Sequence, residues 1–148
     1  MARGAPSRGV TPVLPDRLVV VDENLDSRLG SQLEQRGRRA MSLDRLGLAG
    51  TKDEPLLRAI AELDEADPIL LTGDDDMPQE HGALIRALGL TIATVDGQVG
   101  AGWGREEWKK ETVHRWAHVI NAQDPRRIER YSPHHHAEWR PRIRRRRS

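Results

Sequence analysis

The chain has 148 residues, 32% of them charged, and a formal net charge of only +1. That length predicts one domain with tails. The absence of Cys excludes disulfides and cysteine-ligated zinc, and with no Phe the core must be built from Leu, Ile, Val, Ala and a few Trp. No apolar run approaches the roughly eighteen residues of a membrane span, and the first fifteen residues lack the apolar stretch of a signal peptide. A soluble, cytoplasmic protein is the expectation. The near-zero net charge hides an asymmetry: residues 16–100 hold 9 Lys and Arg against 17 Asp and Glu, whereas residues 126–148 hold 9 Arg against 2 Glu. An acidic body and a basic tail bear on partners.

In chain order, residues 1–15 mix Gly, Pro, Ser and Arg without periodicity and read as disordered. Arg17-Leu-Val-Val-Val21 is a short apolar run suited to a strand buried on both faces. Leu25, Leu29 and Leu33 recur every fourth residue and predict an amphipathic helix that stops at Gly37. Residues 38–43 form a weaker second strand. A second helix carries Leu56, Leu57, Ile60 and Leu63 on its apolar side. Ile69-Leu-Leu-Thr72 is a third strand, followed by a helix around residues 83–88 that ends at Gly89. A fourth strand spans residues 90–95, and Asp96-Gly97 turns the chain. A final helix near 106–121 places Val113, Trp116, Ala117 and Ile120 on one face. Residues 125–148 read as a basic, disordered tail, leaving a domain over 16–124.

Strands alternating with helices predict an α/β fold with a four-stranded parallel sheet flanked by helices. If the strand order is 2-1-3-4, the ends of strands one and three meet where the order reverses, the usual ligand position in open parallel sheets. Asp22 follows strand one, and Asp74, Asp75 and Asp76 follow strand three after Gly73. Clustered carboxylates raise one another's pKa unless a cation offsets them. Mg²⁺ or Mn²⁺ is the natural occupant, and such an ion activates water for phosphodiester hydrolysis. Each acid has a structural alternative. Asp22 or Asn24 can cap the first helix, Thr51-x-x-Glu54 matches a capping box, and Asp53 is itself a plausible N-cap. Asp75 is read as pointing away from the others.

The stretches Val21-Asp-Glu-Asn-Leu25, Leu46-Gly-Leu-Ala-Gly-Thr-Lys-Asp53 and Leu70-Leu-Thr-Gly-Asp-Asp-Asp76 resemble the PIN-like nucleases of bacterial toxin–antitoxin systems, of the VapC toxin type. Within them, the resemblance is to the small branch that opens with an Asp-Glu-Asn-Leu motif. It covers about residues 17–95 and implies a PIN-like three-layer fold and Mg²⁺- or Mn²⁺-dependent cleavage of RNA. It also implies control by a cognate antitoxin protein. Carried over by motif, the resemblance makes Asp22, Asp53, Asp74 and Asp76 catalytic, with Asp22, Asp74 and Asp76 on the metal and Asp53 positioning water or a second ion. Asn24 and Thr72 would be supporting hydrogen-bonding groups, with Glu54 the substitute for Asp53 if the helix start shifts by one residue. Where the family's third motif often reads Thr-Arg-Asp-Lys-Asp-Phe, this chain has Gly73, Asp75 and Met77, so two cations are missing.

The other features each carry a second reading. Arg144, Arg145, Arg146 and Arg147 can neutralise RNA phosphates or lie back on the acidic face. Three consecutive His in a tail, His134 to His136, rarely make a built metal site. His114 and His118 have helical ligand spacing but lie beside the apolar stripe. Trp103, Trp108 and Trp116 can stack bases or serve packing. Gly97 to Gly102 lacks the strand-to-helix context of a phosphate loop. Two rivals to the nuclease remain on the sequence, an inactive PIN-like module that binds protein or RNA and a phosphoacceptor receiver-like domain; a homodimer is one expectation for the assembly.

Overall fold

Every second residue of a strand faces the same side of its sheet, so a strand apolar at all positions must be covered on both sides. In the computed structural model, which describes residues 17–95 and 104–142, this rule organises the molecule. The strands are β1 (Val19–Val21), β2 (Ala40–Ser42), β3 (Ile69–Thr72), β4 (Thr91–Val95), β5 (Ile128–Ser132) and β6 (His135–Glu138). The helices are α1 (Leu29–Gln35), α2 (Asp53–Ala61), α3 (Met77–Leu88) and α4 (Arg105–Asn121). Val19, Val21, Ile69, Leu71, Ala93 and Val95 face one side, where they meet Leu29 and Leu33 of α1 and Val113 and Ile120 of α4. Val20, Leu70 and Ile92 face the other, against Leu56, Leu57 and Ile60 of α2 and Ile85 of α3. The result is three layers. Each of the Val, Leu and Ile side chains among them contributes roughly 1.5–3 kcal/mol by leaving water.

The sheet order is β2-β1-β3-β4-β5-β6, so the expected 2-1-3-4 order is present within it. The expectation of a four-stranded, wholly parallel sheet is corrected. β5 joins β4 in parallel, and β6 pairs with β5 antiparallel, giving a mixed sheet of six strands. Both extra strands come from the stretch past Asp124 that reads as a disordered tail. Its charged composition hides an alternation: Glu129 and Tyr131 are buried while Arg130 is exposed. Glu129 tolerates burial because His136 Nε2 lies 2.6 Å from one carboxylate oxygen and Arg127 lies 3.6 Å from the other. The Tyr131 ring stacks on His136, with centroids 4.7 Å apart.

Tyr131 locks β5 to the body. Its hydroxyl donates to Gln123 Oε1 at 2.9 Å, and Gln123 Nε2 donates to the carbonyls of Ile92 and Arg127. Tyr131→Phe would leave a buried amide oxygen without its donor, at a cost of about 1–2 kcal/mol. Thermal melting should register this as a drop of roughly 3–8 °C.

Helix boundaries differ from the sequence pattern at two places. Leu25 is buried but precedes α1, in a turn where its N–H donates to the Asp22 carbonyl at 3.1 Å. The third helix begins at Met77, six residues before the apolar stripe announces it. Pro78 sits in its first turn, where a missing N–H costs nothing. His81 has non-helical torsions and kinks the helix. The expected stops hold: Gly37 and Gly89 carry φ of 85° and 68°, the left-handed conformation that ends helices. The Asp96-Gly97 turn, the stretch to Gly102, Trp103, residues 1–15 and Arg144 to Arg147 lie outside the described residues. Among the described residues no helix is long and apolar enough to cross a membrane.

Candidate metal centre

Because β1, β2, β3 and β4 are parallel, their C-terminal ends share one edge, and the chain segments leading to α1, α2, α3 and α4 begin there. Asp22 follows β1 at that edge and is only 9% exposed. Position 22 continues the side of Leu18 and Val20, and position 72 that of Leu70. The two side chains therefore meet across the β1–β3 junction.

Thr72 is the hub of the contact. Its hydroxyl donates to Asp22 Oδ2 at 2.8 Å and accepts from Asn24 Nδ2 at 3.1 Å and from the Asp74 N–H at 3.0 Å. One donor and two lone pairs are all a hydroxyl has, and all are used. Asn24 returns the link by accepting the Gly73 N–H on Oδ1 at 2.8 Å, and Asp22 Oδ1 accepts the Glu23 N–H at 2.7 Å. Neither Asp22 nor Asn24 caps α1: its N-cap is Arg28, with no side-chain cap.

The electrostatics of Asp22 are those of a carboxylate short of a cation. Burial pushes its pKa up, the hydrogen bonds from Thr72 and Glu23 oppose this, and the charges of Asp53 and Glu23 push it up further. Asp53 is the first residue of α2, whose N-cap is Lys52 with no side-chain cap. The capping box read from Thr51 to Glu54 is therefore not formed, and Asp53 is not spent on capping. Its Oδ2 lies 3.4 Å from His81 Nε2. Glu54 is exposed and faces Arg58 on its own helix at 3.4 Å. A cleft of about 290 Å³ opens beside Asp22, bordered by Asp26, Ser42 and Asp44.

The Asp-x-Asp pair divides. Asp74 Oδ1 accepts the N–H of Asp76, a turn that sets the entry to α3. Asp76 is exposed, and its carboxylate is held by the Arg142 guanidinium. Gln79 fixes that arginine's backbone by accepting its N–H at 2.8 Å. Asp75, read as pointing away, has one buried carboxylate oxygen with no hydrogen-bond partner among the described residues. The other faces Arg130 of β5 at 3.6 Å.

Among the described residues, the group whose ligand atoms lie within 4.8 Å of one another is Asp53, Glu80 and His81, not Asp22, Asp74 and Asp76. Glu80 and His81 were missed from sequence because Pro78 and Gly82 obscure the start of α3. The side chains that border the cleft with Asp22, namely Glu23, Asp26, Ser42 and Asp44, offer oxygens, a set suited to a hard divalent cation. The raised pKa of Asp22 is the electrostatic deficit such an ion would relieve.

The remaining sequence features resolve into packing. His114 and His118 do not pair: His114 Nε2 lies 3.1 Å from Gln32 Oε1, and exposed His118 meets Arg38. Trp116 donates to the Ser132 carbonyl at 2.6 Å and packs against Tyr131 and His136, so it serves β5. His134 and His136 belong to the β5–β6 turn and β6, where His134 meets Trp108 edge-on.

Comparison with family models finds no match, and neither comparison with curated proteins nor comparison with solved structures finds one.

Proposed function

We propose that the protein is a metal-dependent endoribonuclease of the PIN-like toxin type, acting at the strand-end edge around Asp22. The observation that carries this reading is a buried carboxylate, Asp22, held by Thr72 across the β1–β3 junction with a second acid, Asp53, close enough to raise its pKa. Asp22 and Asp74 would hold Mg²⁺ or Mn²⁺, with Asp76 completing the set once Arg142 releases it. When bound, the ion supplies an activated water and stabilises charge on the phosphodiester oxygens. Thr72 and Asn24 would orient the acids, and Asp53, with His81 beside it, would accept a proton from an attacking water. RNA is the substrate and a cognate antitoxin protein the restraining partner.

A direct assay tests this. Single-stranded RNA incubated with the purified chain should be cut in Mn²⁺ or Mg²⁺ and left whole in excess chelator. RNA left whole in both conditions would sink the proposal. The engagement of Asp76 by Arg142 favours a second reading, a PIN-like module that binds RNA or protein without cutting. That reading predicts RNA binding without a metal-dependent rise in melting temperature. A nuclease site saturated a hundredfold above its Kd should instead gain about 2.7 kcal/mol.

A further inference from the structure

An acidic edge repels the polyanion it is proposed to cut, so a protein cation beside the metal would strengthen RNA binding. The third motif supplies none, since Gly73 and Asp75 stand where the resembling family often has Arg and Lys. The structure brings one from another layer. Lys109, on the second turn of α4, is 8% exposed and has no hydrogen-bond or ion-pair partner among the described residues. Its neighbour Lys110 is ordinary by contrast, half-buried with its ammonium 3.8 Å from Asp26.

Gly73 explains how the ammonium gets there. A Cβ at position 73 would lie 2.8 Å from Lys109 Nζ, 3.2 Å from its Cε and 3.1 Å from Leu25 Cδ2. Gly73 is not among the residues with positive φ, so what the glycine supplies is room for the Lys109 ammonium and not a special backbone conformation. Position 73 continues the side of Ile69 and Leu71, the side that α4 covers. The absence of a side chain at 73 and the presence of Lys109 on α4 are thus two halves of one arrangement, which sets the Lys109 ammonium against Gly73 on the α4 side of the strand-end edge.

We propose that Lys109 is the phosphate contact of this site, reaching past Gly73 to hold a non-bridging oxygen of single-stranded RNA beside the carboxylates. This rests on the nuclease reading above and deepens it. The test uses the full chain carrying Asp22→Asn, in Mg²⁺, with a labelled single-stranded RNA oligonucleotide and fluorescence anisotropy across a salt series. Adding Lys109→Met, which keeps the aliphatic stem, should raise Kd about tenfold. It should also reduce the slope of log K against log salt by about 0.7, one phosphate's worth. Lys109→Arg should restore both. Gly73→Ala, which changes no charge, should weaken binding in the same direction by displacing the ammonium. If Lys109→Met leaves Kd and salt slope unchanged, or if RNA fails to bind the parent at all, Lys109 is not a phosphate contact. Should Lys109→Met not fold, Gly73→Ala decides by the same readings. Cleavage retained by Asp22→Asn alone would instead overturn the metal mechanism, with the binding slopes still judging Lys109.

Discussion

Asp22→Asn is expected to lower Mn²⁺-dependent RNA cleavage by about 10³-fold or more, the scale seen when one preorganised electrostatic group is removed from an active site. The fold should survive. Asn keeps the shape and one acceptor oxygen for the Glu23 N–H, but its amide nitrogen cannot accept from Thr72. Against that lost bond, of about 1 kcal/mol, the substitution removes a buried charge. The clearest signature is in pH. The folded pKa of Asp22 is raised above its ordinary value of 3.8, chiefly by burial. A raised pKa means the native state binds this proton more tightly than the unfolded chain does. The contribution is fully present below the unfolded pKa and is lost as pH climbs through the folded one. In chelator, the melting temperature of the parent minus that of Asp22→Asn should therefore grow on acidification from neutral pH. Adding Mn²⁺ at neutral pH should raise the parent's melting temperature and leave the variant's in place. A difference that is flat with pH would mean that Asp22 titrates normally.

Thr72→Val should be the most damaging single-atom exchange at the site. Valine has the same shape and suits a strand, so packing and β-propensity are preserved and the hydroxyl alone is lost. Three partners then go unmet: Asp22 Oδ2 loses a donor, while Asn24 Nδ2 and the Asp74 N–H lose an acceptor. Thr72 is fully buried, although Asn24 is exposed and water can serve its amide. Two buried or half-buried groups left unpaired cost about 2–4 kcal/mol, a fall in melting temperature of roughly 10 °C. Cleavage should fall with it, because Asp22 loses the bond that fixes it across the β1–β3 junction. Thr72→Ser restores the hydroxyl and should recover most of both quantities. Equal melting temperatures for the parent and Thr72→Val would show that the hub carries no stability.

Much of this arrangement is legible in sequence wherever apolar pattern dominates. Val19 to Val21 and Ile69 to Leu71 are apolar at every position, and only a strand covered on both faces accounts for that. From their alternation with helices follows the position of Asp22 and Thr72 at one edge. What is not legible depends on contacts between distant segments. β5 reads as charged because its buried Glu129 is partnered by His136 and Arg127, partners that composition cannot assign. Lys109 reads as one more solvated charge of a polar helix. Its burial becomes visible only when α4 is laid across Gly73. Likewise, the cations that the third motif lacks lie elsewhere in the chain: Arg130 of β5 faces Asp75, and Arg142 beyond β6 holds Asp76.

The antiparallel β6 has a mechanical consequence. It is a four-residue margin strand, tied to β5 and closed by the Trp139 N–H donating to the Ile128 carbonyl. Margins of this kind fray at a lower free energy than the global unfolding cost. Here the segment just beyond β6 also carries Arg142, which holds Asp76, so fraying of β6 and unmasking of that acid are coupled. Ionic strength that screens that pair should speed amide exchange across His135 to Glu138, and a divalent ion competing for Asp76 should act in the same direction. The strands at the centre of the sheet should exchange at rates indifferent to both.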